Sequence, residues 1–96
     1  MVVEHMVWIK FNEGVSDARK QEHLTGLANL KGKIPGVIDV KVGENFTDRA
    51  NGFTHGLLVT LSDKAALEGY APHPQHVAVA GPLKDDAELM AMDIQV

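Results

Sequence analysis

The sequence predicts an α+β fold of the split βαβ, ferredoxin-like kind, a four-stranded antiparallel sheet with helices on one face. Three observations predict it. The periodic segments run in the order strand, helix, strand, strand, helical region, strand. The segments that open and close the chain are apolar on both faces, as strands are when each side of the sheet is to be covered. No linker, repeat or low-complexity stretch interrupts the 96 residues, so residues 1–96 are expected to form a single domain.

In MVVEHMVWIKF, Val3, His5, Val7, Ile9 and Phe11 share one side of a strand read at period two, with Val2, Met6 and Trp8 on the other. NEGVS makes a turn. Ser16 then suits the N-cap of a helix running to about Lys33, with Asp17 in its first turn and Leu24, Leu27, Leu30 and Ile34 as its apolar stripe. Gly32, Pro35 and Gly36 end it. His23 stands among Lys20, Gln21 and Glu22 and reads as solvated. Val37 to Glu44 is a half-exposed strand in which Ile38, Val40 and Val42 alternate with Asp39, Lys41 and Gly43. After the polar loop NFTDRANG comes a third strand, FTHGLLVTLS, with Phe53, His55, Leu57, Val59 and Leu61 on one face. DKAALEGY forms a short helix, APHP interrupts it, a second helical stretch runs from Pro74 to about Leu83, and ELMAMDIQV is the last strand.

Composition narrows the function classes. A hydrophobic share of 45% and a charged share of 23% are those of a folded globular protein. With a net charge of -4 and scattered Lys and Arg, the chain offers no basic stripe for nucleic acid. The absence of cysteine removes disulfides, thiolate nucleophiles and Cys-ligated metal sites, and fits a cytoplasmic location. The N-terminus lacks the basic-then-apolar layout of a signal peptide, and no apolar run approaches the roughly 20 residues of a membrane span. Met6, Trp8, Leu58, Met90, Met92 and Ile94 line the sheet face that carries no helix, and sheet-to-sheet homodimerisation is the simplest way to cover it.

The candidate chemistry lies in YAPHPQH, Tyr70 to His76. Pro74 holds His73 extended and suits the first helical position, which puts His76 near the helix N-terminus, where the macrodipole favours a neutral ring. A neutral imidazole is what a general base needs. Tyr70, across the break, can meet it and donate to a carbonyl oxygen as oxyanion donors do. In the predicted topology the first and third strands are neighbours, so His5 and His55 are expected to project together beneath and to order substrate. Each of these residues also has a structural reading: His5 and His55 as buried rings bonded to backbone, His73 and His76 as one helix cap and one solvated ring, Tyr70 as a core ring with its hydroxyl at the surface. Metal ligation by His73 and His76 is the competing chemical reading; Pro74 takes His73 out of the helix and no carboxylate stands within the motif. No nucleophile elbow and no phosphate-binding glycine loop is present.

VEHMVWIKF, GFTHGLLVTL, EGYAPHPQHVAV and MAMDIQV, taken together, resemble the stress-responsive α/β-barrel (Dabb) family over nearly the whole chain. The resemblance implies a homodimer in which two ferredoxin-like units pack sheet against sheet into an α+β barrel. It also implies a polyketide-cyclase-like activity without metal or cofactor, closing a poly-β-keto thioester by intramolecular aldol condensation. His76 would be the base, Tyr70 its assistant, and His5, His55 and His73 substrate-binding residues around an apolar carbonyl ligand. Ala78, Ala80 and Gly81 imply a pocket of different shape, and Ile94 stands where relatives often carry tyrosine. The family equally accommodates a non-catalytic stress-response or ligand-binding protein, and related barrel groups include monooxygenases and isomerases.

Overall fold

A computed structural model describes residues 1–96. Its elements are β1 (Val3–Phe11), α1 (Asp17–Ala28), β2 (Val37–Glu44), β3 (His55–Leu61), α2 (Lys64–Tyr70), α3 (Pro74–Asp86) and β4 (Ala87–Gln95). The strands form one antiparallel sheet in the order β2-β3-β1-β4. This is the expected ferredoxin-like arrangement. β1 is internal, paired with β3 from Val3↔Leu61 to Ile9↔His55 and with β4 from Val3↔Gln95 to Phe11↔Ala87.

The core lies between one sheet face and the helices. Val3, Val7 and Ile9 of β1 and Leu57, Val59 and Leu61 of β3 supply its sheet side. Truncating one of its large aliphatic side chains to alanine costs about 2–5 kcal/mol. Ser16, the expected N-cap of α1, accepts at Oγ from the Arg19 N–H at 3.1 Å, and Asp63 caps α2 by accepting at Oδ1 from the Ala66 N–H at 2.8 Å. No helix is long and apolar enough to cross a membrane.

Three expectations are corrected. α1 stops at Ala28 rather than near Lys33, and the irregular turns after it carry Leu30 and Ile34 into the core. In those turns Gly36 has φ 85°, and a Cβ there would stand 2.4 Å from the Ala66 Cβ of α2, so glycine is required by conformation and by space. In β2 a register shift between Val37 and Asp39 leaves Ile38 unopposed and 53% exposed, while Val40 and Val42 keep to the core.

The third correction concerns His23, which is buried. It shares the buried stripe of Leu27, four residues on, so the helix turns it inward although its sequence neighbours are polar. The ring stacks on Phe11 at 5.9 Å, and Nε2–H donates to Asp86 Oδ2 at 2.6 Å. Asp86 also accepts from Arg19 Nε at 2.7 Å. These two donors, His23 first, hold the Asp86 carboxyl below its ordinary range. The cluster ties α1 to the end of α3, where an aspartate would otherwise oppose the helix dipole. Because the folded pKa is depressed, this stabilisation is present above about pH 4 and is lost as pH falls through the folded value. Asp86→Asn is therefore expected to lower the melting temperature near pH 7, with the gap to wild type shrinking at about pH 3, as read by thermal unfolding at the two values.

Candidate active site

The break between α2 and α3 assembles the site. α2 ends at Tyr70, Ala71 caps it, and Pro74 opens α3 at a position that needs no N–H partner. His73, held extended at φ -60° and ψ 134° before the proline, is the N-cap of α3: its Nδ1 accepts from the Gln75 N–H at 3.1 Å. One nitrogen of His73 is thus occupied by helix capping.

His76 folds back over the break. Its Nδ1 lies 2.9 Å from the Ala71 carbonyl oxygen. A carbonyl only accepts, so Nδ1 carries the proton and Nε2 keeps its lone pair. Burial lowers the His76 pKa most, with His5 and Lys84 adding to the effect and the Ala71 carbonyl opposing it. The direction is the one expected from the sequence; desolvation is its largest cause.

Tyr70 is fully buried, 1% exposed, and its hydroxyl has no protein hydrogen-bond partner. Burial raises its pKa to about 12, so the phenol is a neutral donor at physiological pH. A buried hydroxyl left unpaired costs about 1–3 kcal/mol. The ring lies between two imidazoles, 4.4 Å from His76 and 5.7 Å from His5, centroid to centroid.

His5 projects from β1 on the helix-covered face, and the register places Asp93 of β4 directly opposite. Asp93 Oδ1 accepts from His5 Nδ1–H at 2.5 Å. His5 is therefore held in the same tautomer as His76, with Nε2 free. Within MAMDIQV the sequence alone assigns this aspartate no role. Its signal is the pairing of β1 with β4, which puts the inward residues of both strands side by side.

His55 is not brought to this cluster. It faces Ile9, four residues along β1 from His5, a separation of about 13 Å at the usual strand rise. The ring meets Phe11 edge-on at 5.3 Å, and Nδ1 lies 2.8 Å from the Thr54 hydroxyl. Burial lowers its pKa first, with Glu44 opposing and Lys20 assisting. His55 lines a groove of about 590 Å³ on the open side of the sheet and a polar cleft of about 430 Å³ beside α1; neither includes Tyr70, His5 or His76. No three of the histidines and carboxylates converge as a ligand set for a metal ion.

Tyr70, His76, His5 and Asp93 thus combine a neutral donor with two imidazole acceptors of fixed tautomer. Such a set can take a proton from carbon and hydrogen-bond the oxygen on which charge develops.

Known proteins share sequence and fold with this chain. Olivetolic acid cyclase of Cannabis sativa is 33% identical over 79 residues, covering 80% of this chain and 78% of the cyclase. A stress-response A/B barrel domain-containing protein of Arabidopsis thaliana, At5g22580, is 34% identical over 77 residues, 77% of this chain and 67% of that protein. The crystal structure of a dimeric ferredoxin-like protein from Jannaschia sp. CCS1 superimposes with a TM-score of 0.87 at 27% identity, covering 100% of both chains. Residues 3–96 match the stress responsive A/B barrel domain, and the chain belongs to that family.

Proposed function

We propose that this protein is a small cofactor-independent catalyst of enolisation and aldol-type ring closure on a polyketide-like carbonyl compound. The observation that carries the reading is the buried Tyr70 hydroxyl, without a protein partner, against a His76 ring whose Nε2 is free. Nε2 of His76 removes a proton from the carbon between two carbonyls, and the C–H electron pair passes into the enolate. Tyr70 donates to the enolate oxygen. The carbanion attacks a second carbonyl carbon of the same chain, forming the carbon–carbon bond, and the imidazolium returns its proton to the resulting alkoxide. Asp93 orients His5, whose Nε2 accepts from a hydroxyl or enol of the substrate. His55 and His73 take no part in this scheme, the first by its distance and the second by its capping role. The similarity to olivetolic acid cyclase supports the substrate class.

The reading includes a homodimer formed through the open sheet face. It is supported by the dimeric Jannaschia neighbour and by Met90, Met92 and Ile94, which stand 49%, 53% and 40% exposed there. A second reading, ligand binding without turnover, is favoured by the near-complete burial of Tyr70 and by the similarity to the Arabidopsis stress-response protein.

Turnover of β-keto thioesters separates the two. His76→Ala is expected to lower kcat by about 10²–10⁴, the usual worth of a positioned base. Cyclisation that is equally fast in wild type and His76→Ala would remove the catalytic reading. Tyr70→Phe is expected to reduce kcat by about tenfold or more while leaving the fold as stable or more so, since it deletes an unpaired buried hydroxyl. A pH profile is expected to show an acid limb below the ordinary histidine value of 6.5, because the folded pKa of His76 is depressed and the base form persists to lower pH. That limb should be absent from any residual activity of His76→Ala.

A further inference from the structure

The loop between β2 and β3 contains a turn unlike any other in the chain. Asn51 has φ 54° and Gly52 has φ 88°, and the Phe53 N–H donates to the Ala50 carbonyl at 3.0 Å. These are the marks of a type I′ turn with Asn-Gly at its centre. Asn51 is the one residue other than glycine at positive φ. Both turn residues are exposed, and neither lines the groove of about 590 Å³, although Ala50 and Phe53 on either side do.

The surroundings of Asn51 differ from those of the other asparagines. Its side-chain amide makes no protein hydrogen bond, whereas Asn45 is tied to Thr47 through both its amide nitrogen and its oxygen, and Asn12 donates to the Asp85 carbonyl. The Gly52 N–H likewise has no acceptor in the protein. Glycine leaves that nitrogen uncrowded, while Asn12, Asn29 and Asn45 are followed by Glu13, Leu30 and Phe46. A cation also stands close by: a Cβ on Gly52 would meet only Lys10, with Nζ at 3.5 Å and Cε at 3.9 Å.

We infer that Asn51 is a site of spontaneous deamidation promoted by Lys10. The Gly52 nitrogen loses its proton to solvent base and attacks Asn51 Cγ, forming a nitrogen–carbon bond. The bond from Cγ to the side-chain nitrogen then breaks, and the nitrogen takes a proton and leaves as ammonia. The product is a five-membered succinimide. Water opens this ring at Cγ to give aspartate, or at the Asn51 backbone carbonyl to give isoaspartate; the sum is amide plus water to acid plus ammonia. Negative charge passes through the Gly52 nitrogen and the Asn51 side-chain oxygen, and the Lys10 ammonium favours it. Ring closure needs rotation about the Asn51 Cα–C bond, and within the turn only the bond from Phe53 to Ala50 opposes this.

Isoaspartate lengthens the backbone by one methylene inside the turn. The change lies three residues before Thr54, whose N–H and hydroxyl both reach the Ile9 carbonyl and whose hydroxyl meets His55 Nδ1. It also sets a new carboxylate near Lys10. An aged copy of the chain is thus marked chemically, in the form that S-adenosylmethionine-dependent isoaspartyl O-methyltransferases accept.

The test is incubation of the folded wild-type protein in mildly alkaline buffer, followed by trypsin digestion and mass spectrometry. The peptide of residues 50–64 should acquire the mass of an acid in place of an amide and resolve into two forms, the main one labelled by an isoaspartyl methyltransferase. Peptides carrying Asn12, Asn29 and Asn45 should stay unchanged over the same time. Retention of the amide at Asn51 while a urea-unfolded sample converts would overturn the inference, as would equal conversion at the other asparagines. Lys10 is exposed, so Lys10→Gln keeps the fold, and it should slow conversion by about fivefold, the effect of a unit charge at ~4 Å through water. Equal rates in the two proteins would overturn the role given to Lys10.

Discussion

The candidate site depends on the internal position of β1. Only a strand paired on both sides can set His5 opposite Asp93 on β4 while Val3, Val7 and Ile9 pack against the inward residues of β3. The hydrogen bonds of the sheet hold the His5–Asp93 pair in place, so its geometry needs little from the side chains. Tyr70 and His76 are then lowered onto this fixed edge by the proline-bounded break between α2 and α3. A strand supplies the rigid part of the site, and a break between helices supplies the part that had to be shaped.

Histidine chemistry is divided among three kinds of work. His76 and His5 each have Nδ1–H occupied by an acceptor, one a backbone carbonyl and the other a carboxylate, so both leave Nε2 without a protein partner beside the Tyr70 ring. His73 gives up a nitrogen to cap α3. His23 and Asp86 join α1 to α3 on the far side of the core. Tautomer is therefore set separately at each ring by its fixed partner, and the two rings nearest Tyr70 both keep an accepting Nε2.

Much of this was readable in the sequence because it is local. The strand alternation, the Ser16 cap and the turn forced by Pro74 each depend on residues within a few positions of one another. What escaped was long-range. His23 looks solvated beside Lys20, Gln21 and Glu22; only the helix stripe it shares with Leu27, and a carboxylate 63 residues away, make it a buried group. Asp93 is a polar residue in an apolar strand until pairing with β1 sets it against His5, 88 positions distant. Adjoining strands alone suggest that His55 lies beside His5; the antiparallel register carries it to Ile9, at the far end of β1. Ile38 satisfies the alternation in the sequence and is displaced by an irregularity in register that no spacing announces.

β1 also separates two environments with a single layer of backbone. Successive residues point to opposite sides, so His5 faces the imidazole–phenol cluster while Met6 and Trp8 face the open surface of the sheet. A shift of one position along this strand would exchange every one of them, sending Glu4 and Lys10 inward and the core valines outward. Length variation is thus forbidden within β1 and tolerated in the exposed β2–β3 loop around Thr47 and Asp48, and insertions and deletions among descendants of this chain should collect in that loop and leave Val3–Phe11 at constant length.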